Sequence, residues 1–169
     1  KSLTRAGVVE RHDDDGRTSY TLTECGRELE GVVQSLMTWG TRWVGQLGDH
    51  DLDPHLLMWD IRRTVPIDAW PRTRTVVAFH FNDVAPKASR WWLAVADGQA
   101  DVCDVDPGYD VTATVESSLR ALTEIWRGDA TWSRCLLDGT AVITGVADAR
   151  RSVPAWLGQG LSATIPRPA

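Results

Sequence analysis

The sequence predicts an α+β fold in which a β-hairpin and one long helix are followed by a mainly antiparallel five-stranded sheet covered by helices. Three observations lead to this prediction: two alternating segments joined by a polar turn near the N-terminus, a long apolar stripe at helical spacing after them, and a later run of strand-like segments that precedes most of the helix-like ones. Strands grouped before helices, instead of alternating with them, are typical of α+β proteins. The 169 residues suffice for one ordinary domain or for two small ones.

The first predicted element is the β-hairpin. Gly7 is suited to end a short helix near Arg5, because glycine readily adopts the left-handed conformation that closes helices. Residues 8–11 then favour a strand, residues 12–16 a polar and acidic turn, and residues 17–22 the returning strand.

A single long helix is predicted over residues 24–47. Thr23 is suited to cap it, and apolar residues recur along one face at three- and four-residue steps. A helix of this length cannot bury its whole stripe against a two-stranded hairpin, so we expect cover from a preceding part of the protein or from a second subunit. Because the chain starts at Lys1 and not at methionine, we expect further residues before it. The stripe consists of Leu29, Val32, Val33, Leu36, Gly40, Trp43, Val44 and Leu47.

Residues 49–74 are predicted to form a linker with a short helix over residues 56–65. The alternating aspartates from Asp49 to Asp53 resemble a calcium-binding loop, but Pro54 stands where such a loop needs glycine. Asp53 as a helix cap and Pro54 as the first helical residue explain the same segment. We therefore predict no metal site here.

The remaining residues, 75–169, are predicted to form a second domain after the first domain at residues 1–48 and the linker. Asp97-Gly98 favours a tight hairpin turn, and four strands in succession indicate an antiparallel run. The predicted strands are 75–81, 90–96, 100–105, 109–115 and 140–144, and the predicted helices are 119–126, 132–137 and 147–157.

Charge and composition exclude several classes of protein. A net charge of −5, from 18 basic and 23 acidic residues, is not that of a protein that coats nucleic acid, so any DNA contacts must be local. No apolar run is long enough for a membrane span. The distant Cys25, Cys103 and Cys135 predict neither a disulfide framework nor a zinc site, and indicate reduced, buried thiols in a cytoplasmic protein. The chain has no HExxH, nucleophile elbow or phosphate loop, so we predict no catalytic residues and no cofactor.

The N-terminal segment contains Leu3-x-x-Ala6-Gly7-Val8-Val9-Glu10-Arg11, then Tyr20-Thr21-Leu22-Thr23-x-x-Gly26-x-x-Leu29, and Trp39. On these residues it resembles the second half of the HxlR family of winged-helix transcriptional regulators. The resemblance implies a partial winged helix whose hairpin is the wing, and a recognition helix that ends around residues 1–5. It nominates Lys1, Ser2, Arg5, Arg11 and Arg17 as DNA contacts. The alternative for Arg11 and Arg17 is pairing with the acidic wing tip.

The C-terminal segment contains Asp110-x-Thr112-x-Thr114-Val115, Gly128-Asp129 and Leu137-Asp138-Gly139-x-x-x-Ile143-x-Gly145. On these residues it is similar to the sterol-carrier-protein-type lipid-binding domain. In that family an apolar tunnel lies between the sheet and the helices. The alternative is a filled core without a ligand. Because neighbouring strand residues point to opposite faces, only one of Trp91 and Trp92 can face the helices. The candidate ligand contacts are Phe79, Phe81, Trp91, Trp92, Leu122, Trp126 and Trp156.

Together these features predict a cytoplasmic, homodimeric transcriptional regulator of HxlR type. Its first domain would bind operator DNA, and its second would sense a small apolar ligand or bind a partner. The alternative is a stand-alone lipid-binding carrier protein whose N-terminal hairpin serves for dimerisation. We predict no enzymatic activity for either.

Overall fold

The computed structural model describes residues 2–14, 16–44 and 47–167, without the side chain of Arg17. It contains two compact units, residues 1–45 with 167–169 and residues 46–166. The helices are α1 (Ser2–Arg5), α2 (Glu24–Glu28), α3 (Glu30–Trp43), α4 (Pro54–Thr64), α5 (Leu119–Arg127), α6 (Trp132–Asp138) and α7 (Ala147–Leu157). The strands are β1 (Val9–Asp14), β2 (Arg17–Leu22), β3 (Thr75–Phe81), β4 (Arg90–Ala96), β5 (Gln99–Cys103), β6 (Ala113–Ser117) and β7 (Ala141–Gly145). No helix in the described part of the chain is long and apolar enough to cross a membrane.

The hairpin of the first unit is longer than predicted. Strands β1 and β2 are antiparallel, and the register continues to the pair Asp14 and Arg17. Asp13, predicted to lie in the turn, is therefore a strand residue opposite Thr18. The Thr18 hydroxyl donates to its carboxylate across the ladder at 2.7 Å. This cross-strand hydrogen bond extends the pairing into a segment whose composition alone favours a turn.

The predicted single helix over residues 24–47 is wrong in two respects. It is divided at Leu29 into α2 and α3, and it ends at Trp43. Glycines at positions 26 and 31 flank the division, and glycine is a poor helix former. After Trp43 the backbone of Val44 becomes extended, with ψ at 94°.

The second unit is built on a mixed five-stranded sheet with the order β5-β4-β3-β6-β7. Three of its four strand pairs are antiparallel, which confirms the predicted α+β class and the mainly antiparallel sheet. The fourth predicted strand was wrong in place and direction, because β6 begins at Ala113 and pairs with β3 in parallel. Residues 104–112 form the crossover that a parallel strand requires.

Two local signals in the sequence correspond to the structure. Asp97 and Gly98 both have positive φ, 52° and 73°, as the predicted tight hairpin turn between β4 and β5 requires. Asp53 caps α4 by accepting from the amides of His55 and Leu56, and Pro54 is the first helical residue. Turn and cap residues therefore set these boundaries.

One face of the sheet packs against α4, α5 and α7 to form the core of the second unit. Helix α4 contributes Met58 and Ile61, which are completely buried. Trp70 stacks on Trp156 with ring centroids 5.3 Å apart and donates its indole N–H to the Trp156 carbonyl at 2.6 Å. The segment predicted as a linker thus carries core residues of this unit.

The three cysteines differ in exposure, and the prediction that all are buried is wrong. Cys135 is buried, Cys103 is partly exposed and Cys25 is exposed. Partial burial raises the pKa of Cys103 above its usual value, and the nearby carboxylates of Asp101 and Asp104 raise it further. The Cys103 thiol is therefore less readily ionised than a free cysteine.

Candidate functional site

Six of the seven predicted ligand contacts lie together on the helix-facing side of the second unit. They are between 1% and 8% exposed and belong to one apolar cluster, so their side chains fill the interior of the unit. Trp92 is the exception, because it points to the opposite face of the sheet and is half-buried. The six are Phe79, Phe81, Trp91, Leu122, Trp126 and Trp156.

Two of the buried candidate indoles donate their N–H groups to partners within the unit. Trp91 donates to the Ala88 carbonyl and Trp126 to the Asp60 carboxylate, each at 2.8 Å. Within the described residues, the Ser117 hydroxyl and the Trp132 indole N–H are buried polar groups with no hydrogen-bond partner. Buried polar groups without partners are uncommon. The interior of the unit is therefore largely apolar, and these two polar groups have hydrogen-bonding capacity that no described residue satisfies.

A groove with a volume of about 340 Å³ opens between α4 and α5, and we call it the α4–α5 groove. Its apolar surface includes Leu56, which is 70% exposed, and the buried Leu57 and Trp126. Asp60 holds the Trp126 indole on one carboxylate oxygen and Arg63 on the other, at 2.8 Å and 2.6 Å. The complete lining is Asp51, Leu52, Asp53, Leu56, Leu57, Asp60, Arg63, Thr123 and Trp126.

In the first unit, the start of α2 is fixed to the loop that precedes β1. The Thr23 hydroxyl donates to the Gly7 carbonyl at 2.6 Å and accepts from the Gly26 amide at 3.1 Å. Gly26 is buried, and a Cβ there would lie 2.1 Å from the Val8 carbonyl oxygen. The Leu-Thr-x-x-Gly segment thus combines a helix cap with a close backbone approach that glycine alone allows.

The structure describes the side chains of three of the five predicted DNA contacts. Ser2 and Arg5 are exposed on α1. Arg11 lies on β1, where its guanidinium binds the Asp13 carboxylate at 2.9 Å, so this arginine makes the alternative pairing considered above. Lys1 lies outside the described residues, as does the side chain of Arg17.

Helix α3 presents a broad apolar face that is exposed within the part of the chain that the structure describes. We call it the α3 apolar face. Its large side chains are between 37% and 64% exposed, and Gly40 lies among them. Opposite, the helix carries polar residues such as Gln34 and Ser35. An amphipathic helix normally buries such a face. The large side chains are Val32, Val33, Leu36, Met37, Trp39 and Trp43.

Residues 1–47 match the HxlR-like helix-turn-helix family. The match covers the hairpin, the Thr23–Gly26 junction and α3, and it confirms the resemblance found in the sequence. It includes 47 of the 169 residues. No curated protein sequence matches the chain significantly.

Several solved structures are similar to this chain. A double mutant of the sec-alkyl sulfatase PisA1 has a TM-score of 0.54 at 14% identity, over 67% of this chain and 17% of the sulfatase. The stereoselective inverting sec-alkylsulfatase Pisa1 from Pseudomonas sp. has a TM-score of 0.50 at 15% identity, over 68% of this chain and 18% of that one. The chain thus spans about a sixth of the length of the sulfatase. The sterol carrier protein domain 2 of Helicoverpa armigera has a TM-score of 0.46 at 12% identity, over 64% of this chain and 89% of that one. At these identities the likeness concerns the fold.

Sequence reasoning missed the α4–α5 groove. It placed α4 in a linker, so Leu56, Leu57 and Asp60 were not considered as ligand contacts. A signal was present, because Leu57, Met58, Ile61 and Val65 recur at the spacing of a helix that packs on a core.

Proposed function

We propose that this protein is a DNA-binding transcriptional regulator that acts as a homodimer and whose second unit binds a small apolar ligand. The observation that carries the proposal is the match of residues 1–47 to the HxlR-like helix-turn-helix. The same match favours regulation over the alternative of a stand-alone carrier protein, which has no use for a helix-turn-helix.

We propose that DNA contacts come from the cations around α1 and the hairpin. Ser2 and Arg5 are exposed as the first and last residues of α1, where backbone phosphates can reach them. Lys1, Arg11 and Arg17 complete the candidate set, and Arg11 would have to exchange its Asp13 partner for a phosphate. Because the chain is acidic overall, each local cation should contribute visibly to the salt dependence of binding.

Replacing Arg5 by glutamine is therefore expected to weaken DNA binding of the full-length protein about equally for all sequences. The slope of log affinity against log salt should become shallower by about one, the contribution of one phosphate contact. Fluorescence anisotropy on a duplex selected from a random library measures both quantities. Arg150→Gln, an exposed arginine on α7, serves as the matched control. An unchanged slope for Arg5→Gln would remove α1 from the interface.

We propose that the α3 apolar face binds the same face of a second copy of the chain. A C2 dimer buries one patch on both subunits, so an exposed apolar face can be covered without a different partner. Gly40 supports this proposal, because a Cβ there would meet no described atom within 4 Å outside the backbone of its own helix. Glycine in a helix costs about 1 kcal/mol relative to alanine. A close approach by a partner helix would explain why glycine stands at position 40.

We propose that the ligand enters the second unit at the α4–α5 groove. Leu57 and Trp126 line the groove and also belong to the apolar core, so they connect its open surface to the interior. The six buried candidates, Phe79, Phe81, Trp91, Leu122, Trp126 and Trp156, would then form the deeper contacts once the helices separate, whereas Trp92 would not take part. Since Asp51, Asp53 and Asp60 surround the opening, a neutral apolar ligand suits it better than a fatty acid anion.

Replacing Leu56 by aspartate is expected to weaken binding of the neutral apolar dye Nile red about tenfold, because a carboxylate would replace exposed apolar surface in the groove. Dye fluorescence titrated against the full chain measures the affinity. Leu161→Asp, at an exposed leucine outside the groove, should leave it unchanged. Equal affinities in all three proteins would place the dye elsewhere. The sensing role fails if saturating dye leaves DNA affinity unaltered.

A further inference from the structure

The outer face of the sheet in the second unit carries a compact set of functional side chains that the proposed regulator does not use. The strand registers place Arg90, His80 and Glu116 in one row across β4, β3 and β6. The next row contains Trp92, Ala78 and Thr114. All six point away from the helix-facing core, because side chains alternate along each strand.

These two rows enclose a depression of about 230 Å³, which we call the outer-sheet pocket. Ala78 occupies its middle strand and has only a methyl group, so it forms a low floor between taller neighbours. The half-buried Trp92 indole stands on one side, and Thr114 stands on the other. Since a water molecule takes about 30 Å³ in the liquid, the space holds about eight waters, or a ligand of one or two rings.

The charged groups around this pocket are unused by the protein. In the part of the chain that the structure describes, the side chains of Arg90, His80 and Glu116 make no hydrogen bond or ion pair. Several other arginines of the unit are paired with carboxylates, as Arg63 is with Asp60 at 2.6 Å and Arg127 with Asp129 at 2.9 Å. Arg90 stands directly opposite His80, a pairing of two basic side chains that offers no mutual stabilisation. An anion between them would be bound by both.

We propose that the outer-sheet pocket binds a small aromatic carboxylate. The ring would lie over Ala78 against the face of the Trp92 indole, where aromatic groups stack favourably. The carboxylate would accept two N–H hydrogen bonds from the Arg90 guanidinium, whose planar fork matches it. This site is separate from the α4–α5 groove and does not depend on DNA binding.

Glu116 sets the selectivity at the other end of the pocket. Neighbouring strands lie about 4.8 Å apart, so Arg90 and Glu116, two strands from each other, have backbones about 10 Å apart. A ligand with a carboxylate at one end and an amine at the other would be bound by both. A second carboxylate would be repelled.

The test uses 2-naphthoate, 6-amino-2-naphthoate and 2,6-naphthalenedicarboxylate as probes of the full chain, with affinities from isothermal titration calorimetry. We expect 6-amino-2-naphthoate to bind more tightly than 2-naphthoate, and 2,6-naphthalenedicarboxylate to bind more weakly than 2-naphthoate. Arg90→Gln should weaken 2-naphthoate binding about tenfold, the loss expected for a bidentate charged contact. Arg72→Gln, at an exposed arginine outside the pocket, should have no effect.

Ala78→Leu fills the floor of the pocket and should abolish binding of all three probes. Amide chemical shifts of the wild-type chain locate the bound probe, which should perturb β3, β4 and β6. Arg90 is exposed, so we expect the Arg90 variant to fold. Its result therefore tests the proposal even if the Ala78 variant does not fold. Undetectable binding at millimolar concentration, equal affinity of the Arg90 variant, or shifts confined to the α4–α5 groove would each overturn the proposal. Loss of Nile red binding in the Leu56 variant has no bearing on it.

Discussion

Replacing Leu36 by glutamate is expected to convert the proposed dimer into monomers. Leu36 lies near the middle of the α3 apolar face and is 64% exposed in the single chain. In the dimer it would be buried against the partner helix, where an unpaired carboxylate costs several kcal/mol. Two such carboxylates enter each symmetric interface. Dimer dissociation should therefore become at least roughly a hundredfold easier, since each 1.4 kcal/mol changes an equilibrium tenfold.

Ser35→Glu is the matched control for this substitution. Ser35 is the neighbouring residue of the same helix, but it points to the polar side and is also exposed. Sedimentation velocity at several protein concentrations measures both variants. The Leu36 variant should also lose most of its affinity for a palindromic duplex, because only one subunit can then engage its half-site. Equal association of the Leu36 and Ser35 variants would show that α3 is not the interface.

Replacing Trp91 by alanine is expected to lower the free energy of unfolding of the second unit by about 3–5 kcal/mol, the range for a large aromatic residue removed from a core. Trp91 is 2% exposed on the helix-facing side of β4. Its loss would leave a cavity and would also free the Ala88 carbonyl, which accepts from the indole at 2.8 Å. Urea unfolding followed by circular dichroism measures the change.

The adjacent Trp92 provides the control, because it lies on the same strand but faces the outer side of the sheet and is half-buried. Trp92→Ala should lower stability by about 1 kcal/mol, as a partly exposed site loses less apolar burial. A similar loss of stability in both variants would contradict the assignment of Trp91 and Trp92 to opposite faces of the sheet. It would mean that the core of the second unit does not lie on the side of Trp91.

Local signals in the sequence predicted much of the fold. Asp97-Gly98 marked the hairpin between β4 and β5, and Thr23 and Asp53 marked helix starts, because each acts through its own backbone or the next few residues. The predicted last helix, residues 147–157, has the observed bounds of α7.

Non-local pairing could not be predicted in the same way. The direction of β6 depends on which edge of β3 it joins, and residues 104–112 do not specify that edge by composition. Similarly, the extra pairs of the first hairpin arise from the contact of Asp13 with Thr18 across the ladder. The partner of β6 is distant in sequence, whereas Thr18 is only five residues from Asp13 and contacts it only once the two strands have paired.

The candidate sites also differ in how far the sequence predicts them. Apolar spacing predicted the α3 apolar face, and the resemblance to the sterol-carrier-type domain led to seven ligand candidates, six of which are buried. The α4–α5 groove, by contrast, arises only when two helices far apart in sequence meet. Trp91 and Trp92 were predicted to face opposite sides, but the sequence could not say which faced the helices. The sheet register decides it, because Trp91 pairs with the buried Phe79 and Trp92 with Ala78.

The mass of the full chain in solution, measured by sedimentation equilibrium over a range of micromolar concentrations, tests most directly whether α3 needs a second copy. We expect twice the 18.7 kDa of the single chain. A mass of 18.7 kDa throughout that range would mean that the exposed leucine, valine and tryptophan side chains of α3 tolerate water, and the homodimeric regulator would have to be abandoned.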